Sequence, residues 1–300
     1  MGNNQGILST ESKQELIELA NRGRWHVVNT VAKSKAGHVG GPLSSMDILI
    51  YLFFKHLQMH PKDPKWAKRD RFILSKGHSA IGLYSVMALR GYFPESELST
   101  FDKGDSRLQG HPDSTKLPGI EISTGSLGQG LGYGLGVALA ARELKKDFNT
   151  WVLLGDGELQ EGMVWESVIT AARFNLSNLT AIVDLNGLGQ YGWPQSDKAS
   201  LNDRMSPWHG FDVAEIFRSF NWEVIELEDG HDFDQITSAL NSVERARVKG
   251  RPVVVIAKTV KGKGLSFAEG KHKWHTGIAT EEQLKVAEIE LRIGKEKGGD

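Results

Sequence analysis

The sequence predicts an α/β protein with an open parallel sheet flanked by helices. Short apolar runs rich in β-branched residues alternate with helix-length segments along the chain, which is typical of βαβ units. Five runs have the character of strands, at 72–74, 151–154, 180–184, 222–227 and 252–257. No Pro/Ser-rich linker, repeat or low-complexity tract divides the 300 residues, so we expect a single domain over 1–300.

The segments before the second strand predict three helices separated by glycine turns. Ser12, followed three residues later by Glu15, is typical of a capping box that opens a helix to about residue 33. The glycines and proline within 37–42 predict a tight loop, and residues 44–57 have the apolar content of a buried helix. A third helix follows the first strand and ends before Gly91.

The later segments add a glycine-rich helix and three others. Glycines recur between residues 125 and 136, where small side chains let a helix press close to a ligand or to a neighbouring helix; both interpretations stay open. Residues 208–220 and 233–248 are predicted helices between the last strands. The charged segment 280–297 is predicted to be a peripheral helix.

The stretch 151–188 is the most informative for function. It contains two apolar strands joined by a helix-length segment, so right-handed crossover makes the strands parallel and their carboxyl ends share one crevice. Asp156 and Asn186 follow these strands, and their oxygens suit a hard cation that also binds phosphate. Gly155 and Gly157 leave room for that phosphate. We therefore expect a site for a magnesium ion and a diphosphate.

A simpler interpretation of the GDG motif is a strand-to-helix turn. Asp156 would then cap the helix, and Glu158 and Glu161 would favour its start. The apolar strands on both sides and the asparagine that closes the second one favour the diphosphate site.

Histidines follow glycine four times in the sequence, at His38, His78, His111 and His231. The first three fall in loops or at strand ends, where a rigid sheet can aim a side chain into a crevice. His272 and His275 form a further cluster after the glycine-rich segment KTVKGKG. We expect the first three to be functional and leave the role of His231, inside EDGHD, open. None has the close helical spacing of a zinc site.

Composition excludes several classes of protein. Lys and Arg number 36 against 37 Asp and Glu, so the sequence predicts binding neither to nucleic acid nor to an anionic membrane. The absence of cysteine excludes disulfides and thiolate metal sites. The N-terminus has no signal pattern and no apolar run approaches the length of a membrane span, so we expect a cytoplasmic protein.

The motifs GHVGGP, RDRFILSKGH, QGHP, STGSLGQG, GDGELQEG, DLNG, EDGHD and KTVKGKG with KHKWH occur in this order. Together they resemble the N-terminal domain of transketolases, over nearly the whole chain. The resemblance implies the thiamine diphosphate-binding fold of that domain, with magnesium and thiamine diphosphate as cofactors. It also implies transfer of a two-carbon ketol unit from a ketose, or its phosphate, to an aldose.

The resemblance implies roles for individual residues. Magnesium would be held by Asp156, Asn186 and the backbone carbonyl of Leu188. The cofactor would also contact His78, Gly125, Ser126, Leu127, Gly155, Gly157 and Glu158, and a histidine after KGKG, with His275 preferred and His272 as the other register. His38, His111 and His275 would handle the substrate's hydroxyl protons, and Glu161 would link paired active sites across a subunit interface.

Three features of the chain depart from the family pattern. Leu185 replaces a polar residue beside the metal-binding asparagine, and Ser126 stands where many members have proline. The sequence ends at Asp300, whereas typical transketolases continue into a pyrimidine-binding domain and a C-terminal domain. We therefore expect the N-terminal subunit of a split transketolase, whose partner in a heterotetramer is a separately encoded C-terminal subunit.

Other functions compete with this one. The nearest is the α-type subunit of another thiamine diphosphate enzyme acting on pyruvate or a 2-oxo acid. A nicotinamide-dependent dehydrogenase would explain the glycines near 125, but no clear strand precedes them and GDG would lack a role. A non-catalytic regulatory subunit is disfavoured by the complete set of polar site residues.

Overall fold

A computed structural model describes residues 8–190 and 206–294. The strands are β1 Arg71–Leu74, β2 Thr150–Gly155, β3 Leu179–Leu185, β4 Glu223–Leu227 and β5 Val253–Lys258. They form one sheet in the order β1-β2-β3-β5-β4, and every neighbouring pair is parallel. The predicted fold class and all five predicted strands are confirmed.

Helices cover both faces of the sheet. They are α1 Thr10–Ser34, α2 Gly40–Ser44, α3 Met46–Tyr51, α4 Ala80–Arg90, α5 Gln129–Glu143, α6 Gly162–Arg173, α7 Val213–Ser219, α8 Phe233–Arg247 and α9 Glu281–Glu290. Trp151 and Leu153 of β2 belong to the core shared with α1, α3, α4 and α8, whereas Val152 and Leu154 pack towards α5, α6 and α7. Because both faces are buried, β2 is apolar at the consecutive positions Trp151 to Leu154 rather than at alternate ones.

Several helix boundaries differ from the prediction. The capping box at Ser12 is wrong: the N-cap of α1 is Ser9, three residues earlier, and its hydroxyl accepts the Ser12 amide at 3.2 Å. The loop predicted over 37–42 is partly helical, because Pro42 lies in the first turn of α2, where its missing N–H costs nothing. The single helix predicted over 44–57 is interrupted at Ser45 and ends in a π-helical turn at Leu52–His56.

The last predicted helices are also shorter than expected. The helix predicted over 208–220 begins at Val213, because Asp212 caps it and the preceding residues form turns. The helix predicted over 280–297 is α9, capped by Thr280 and Gln283 and ending at Glu290; positions 295–297 lie outside the described residues. Within the described ranges, no helix has both the length and the apolar content to cross a bilayer.

Candidate functional site

A cleft of about 690 Å³ opens at the carboxyl ends of the strands. The loops after β1, β2 and β3 line it, together with the segment after β5 and the loop before α2. Because the strands are parallel, their carboxyl ends meet at one edge of the sheet, where open α/β sheets bind ligands. The crevice predicted from the βαβ unit is therefore present.

Asp156 and the Asn186–Leu188 turn are hydrogen-bonded neighbours in the lining of this cleft. The Asp156 carboxylate accepts the Gly157 amide at 2.8 Å through Oδ1 and the Gly187 amide at 2.6 Å through Oδ2. Asn186 Oδ1 accepts the amide of Leu188 at 3.2 Å. The Asp156 side chain, which is predicted to hold a cation, thus ties the loop after β2 to the loop after β3.

The electrostatics around Asp156 favour a cation. Burial raises the pKa of its carboxyl to about 6, and the neighbouring carboxylate of Asp184 adds to the increase. The Asp156 residue is only 4% exposed, so water relieves little of this cost. A divalent ion beside the two carboxylates would offset their repulsion and stabilise the ionised form of Asp156.

Glu158 is buried beneath the same loop and accepts three hydrogen bonds. Its Oε1 accepts from the Ser75 hydroxyl at 2.5 Å and from the Gly128 amide at 2.9 Å, and its Oε2 accepts from the Gly155 amide at 3.1 Å. Burial raises the pKa of Glu158, while these donors oppose the increase. This carboxylate joins the loop after β1, the start of α5 and the end of β2.

A buried ion pair that no sequence pattern indicated lies in the lining of the cleft. Lys76 Nζ is 2.5 Å from Asp184 Oδ2 and donates to the Gly41 carbonyl at 2.9 Å. Asp184 also accepts from the Ser44 hydroxyl at 2.6 Å and from the Thr259 hydroxyl. Burial would raise the pKa of Asp184, but the Lys76 charge and these bonds hold it below its ordinary value. The pair connects the loop after β1 to β3 and to helix α2.

A second lysine, Lys261, reaches into the cleft from the segment after β5. Its Nζ lies 2.8 Å from the Leu188 carbonyl oxygen and 3.0 Å from His275 Nδ1. Burial lowers the pKa of Lys261 to about 8, although the negative charges of Asp156 and Asp184 act to raise it. The motif KTVKGKG is conspicuous for its glycines, but nothing in it shows that this lysine is buried, because most lysines are exposed.

Three of the predicted histidines, His38, His78 and His275, line the cleft, and His111 lies beside them. The ring of His38 is centred 5.0 Å from those of His78 and His275 and 6.3 Å from that of His111. Burial lowers the pKa of His38 to about 4 and that of His275 to about 3, and it also lowers the pKa of His78. These three imidazoles are therefore neutral near pH 7. His38 Nδ1 is buried and has no hydrogen-bond partner among the described residues.

The other predicted site residues take different positions. Gly125, Leu127 and Glu161 line the cleft, and Glu161 is also exposed to solvent. Ser126 is exposed and does not line the cleft. His272 shares a 3₁₀ turn with His275, but only His275 lines the cleft. The geometry thus brings the preferred histidine register, rather than the alternative one, to the cleft.

The glycines divide between packing and the cleft. A Cβ on Gly130 would lie 2.3 Å from Ser75 Oγ, and one on Gly134 would lie 2.4 Å from Val152 Cγ2. These two glycines let α5 press against the sheet, as the helix-packing interpretation expects. Gly157 lines the cleft, and a Cβ there would meet no atom within 4 Å. Space for a ligand therefore lies beside the GDG motif.

Comparisons with known proteins agree with this geometry. The family described as "Transketolase, thiamine diphosphate binding domain" matches residues 16–297. An apulose-4-phosphate transketolase subunit of Phocaeicola vulgatus is 38% identical over 284 residues, covering 94% of this chain and 96% of that protein. The 6-deoxy-6-sulfo-D-fructose transketolase subunit SqwG of a Clostridium species is 37% identical, covering 94% and 98%.

Solved structures give the same family. The transketolase of Campylobacter jejuni superposes with a TM-score of 0.81 at 33% identity, covering 93% of this chain and 43% of that one. The transketolase of Pichia stipitis in complex with sedoheptulose 7-phosphate also gives 0.81, at 30% identity, covering 94% and 41%. The resemblance drawn from the motifs is confirmed. The chain belongs to the family of transketolase thiamine diphosphate-binding domains.

Proposed function

We propose that this chain is the N-terminal subunit of a two-chain transketolase. It would bind the magnesium-diphosphate end of thiamine diphosphate and, with its partner, transfer a two-carbon ketol unit from a ketose or ketose phosphate to an aldose or aldose phosphate. The observation that carries the proposal is the cleft that joins Asp156, Asn186 and the Leu188 carbonyl to buried histidines and lysines. The subunit names and near full-length coverage of the two relatives support it.

The residues present fit a magnesium ion and a diphosphate. One carboxylate, one amide oxygen and one backbone carbonyl would hold the ion, which suits a hard cation that keeps other positions for phosphate and water. Lys261 and His78 would face the phosphates, with the Lys261 ammonium leaving the Leu188 carbonyl to the ion, and the open space beside Gly157 would admit the phosphates. Glu158 would act beneath the cofactor by holding the Gly125–Leu127 and GDG loops together.

Neutral imidazoles suit the substrate side of the cleft. His38, His111 and His275 would line the approach of the sugar, and the low pKa values of His38 and His275 leave each with one donor and one acceptor nitrogen. Such groups can hold a hydroxyl and accept or return its proton near neutral pH. Thiamine diphosphate, when bound, supplies the carbon that carries the two-carbon unit.

The partner completes the proposed enzyme. A separately encoded C-terminal subunit would supply the pyrimidine-binding domain, and two copies of each chain would form a heterotetramer. Glu161, exposed at the edge of the cleft, would link the paired sites across the subunit interface. The cytoplasmic location expected from the sequence belongs to the same proposal.

The test is to assay ketol transfer with the two subunits separately and then mixed. We expect transfer only from the mixture, and none when this chain carries Asp156→Asn. Pyruvate offered to the same mixture serves as the control substrate. Full activity from this chain without its partner would refute the two-subunit proposal, and pyruvate decarboxylation without ketol transfer would refute the reaction.

A further inference from the structure

The motif EDGHD at residues 228–232 forms a turn that is packed against the segment after β5. The Asp229 carboxylate accepts the His231 amide at 2.9 Å, and Asp232 caps α8. A Cβ on Gly230 would lie 2.7 Å from Thr259 Cγ2 and 2.9 Å from the Lys258 carbonyl oxygen, so only glycine permits this approach. These contacts explain the motif except for the side chain of His231.

The His231 side chain links two buried groups. Its Nε2 accepts the Val260 amide at 2.9 Å, and its Nδ1 lies 2.7 Å from Asp47 Oδ2. Because the Val260 amide can only donate, Nε2 carries the lone pair and the proton must be on Nδ1, where it is donated to Asp47. Arg24 binds the same carboxylate through both terminal nitrogens. The imidazole is therefore held in one neutral tautomer.

The charge of this cluster is balanced without His231. Burial would raise the pKa of Asp47, but the Arg24 charge and the bond from His231 keep it below its ordinary value. The side chains of Asp47 and Arg24 are each only 5% exposed, and that of His231 is 8% exposed. His231 serves here as a hydrogen-bonded link between helix α3 and the backbone after β5.

That backbone positions Lys261. On one side of Val260, the Thr259 amide donates to the Leu185 carbonyl at 3.1 Å, and on the other the Gly262 amide donates to the Gly40 carbonyl at 3.1 Å. The Val260 amide differs because its acceptor is a side chain. The next residue, Lys261, then extends to the Leu188 carbonyl and to His275.

We propose that His231 is a positioning residue for the cofactor cleft. Its Nε2 fixes the backbone at Val260, so that the Lys261 ammonium lies between the Leu188 carbonyl and His275. His231 does not line the cleft itself. Its effect on cofactor affinity rests on the function proposed above, whereas its effect on the Val260 backbone does not.

Two substitutions separate the two bonds of the imidazole. His231→Asn places an amide near the position of Nδ1, where it can still donate to Asp47 but cannot reach Val260. His231→Gln places an amide near the position of Nε2, where its oxygen can still accept from Val260. Calorimetry with magnesium and thiamine diphosphate on the mixed subunits should show affinity about tenfold weaker for the Asn variant and less than about threefold weaker for the Gln variant.

A double-mutant cycle tests whether the effect passes through Lys261. Lys261→Met alone should weaken cofactor binding, and adding His231→Asn to it should cause no further loss, because the side chain being positioned is already gone. Hydrogen exchange at the Val260 amide should speed up in the Asn variant and stay slow in the Gln variant. Denaturant unfolding of each variant shows whether the fold is retained.

The outcomes separate the two proposals. Equal losses for Asn and Gln, or unchanged exchange at Val260 in the Asn variant, would overturn the role of His231 as an acceptor. A further loss in the Lys261→Met background, or no effect of Lys261→Met, would overturn its action through Lys261. If the unsubstituted mixture binds no thiamine diphosphate, the proposed function fails, and exchange at Val260 still decides whether His231 holds the loop.

Discussion

Replacing Glu158 with glutamine should destabilise the protein although the side chain keeps its size. The carboxylate accepts three hydrogen bonds in a site that is 2% exposed. An amide has a single acceptor oxygen; if that oxygen keeps the Ser75 and Gly128 bonds, its NH₂ group must face the Gly155 amide. Two buried donors then lack an acceptor, at about 1–3 kcal/mol each.

Part of this cost is offset, because the substitution also removes a buried charge whose pKa is raised by desolvation. We therefore expect the free energy of unfolding to fall by about 2–3 kcal/mol in urea titrations with unchanged m-value. The matched control is Glu161→Gln, three residues along and exposed to solvent, which should change stability by less than about 0.5 kcal/mol. If Glu158→Gln unfolds at the same urea concentration as the parent, the carboxylate does not hold the three loops together.

Three further predictions concern buried titratable side chains. Asp156→Asn should abolish magnesium-dependent binding of thiamine diphosphate in calorimetry yet keep the stability of the metal-free protein at pH 8. Removing a carboxylate whose pKa is raised to about 6 recovers about 3 kcal/mol of stability, and the lost hydrogen-bond acceptor costs about 1–3 kcal/mol. A collapse of the fold would contradict this prediction. Lys76→Met should lower the free energy of unfolding by about 3–5 kcal/mol in urea titrations, since it leaves the Asp184 charge buried and unpaired. Adding Asp184→Asn should recover part of the loss. If Lys76→Met leaves stability unchanged, the pair is not buried as described. Burial lowers the pKa of His56 to about 4, so its contribution to stability is complete above pH 6.5 and about 3 kcal/mol is lost as the pH falls to 4. His56→Gln should therefore reduce the slope of unfolding free energy against pH by about 1.4 kcal/mol per pH unit between pH 6.5 and 4. An unchanged slope would show that His56 is not the source of this pH dependence.

The strands and the edge that carries the cleft could be predicted because their signal is local. β2 and β3 are continuous apolar runs, and parallel pairing with both faces buried requires such runs. Asp156 and Asn186 could be assigned to one crevice because each directly follows one of these strands. The meeting of these two side chains could therefore be predicted from where the strands end and from the residue types in the turns that follow.

The supporting network could not be predicted from the sequence. In the sequence, Lys76 and Lys261 look like ordinary surface lysines. The burial of Lys76 depends on the Asp184 carboxylate, 108 residues away in the chain, and that of Lys261 depends on the Leu188 carbonyl, 73 residues away. The three bonds of Glu158 also depend on loops that become neighbours only in the folded sheet. Helix starts are hard to predict for a different reason, since both Ser9 and Ser12 can serve as caps and packing selects between them.

The order of strands in the sheet has a consequence for how the protein is synthesised. β5 is the last of the described strands along the chain but lies between β3 and β4, so neither strand can complete its pairing until residues 253–258 have left the ribosome. Until then both expose unpaired backbone edges to which other chains can attach. Lys261 and His275, which line the cleft, also follow β5 in the chain, so the cleft is complete only after this strand has left the ribosome. We expect shielding by chaperones to matter most in that interval.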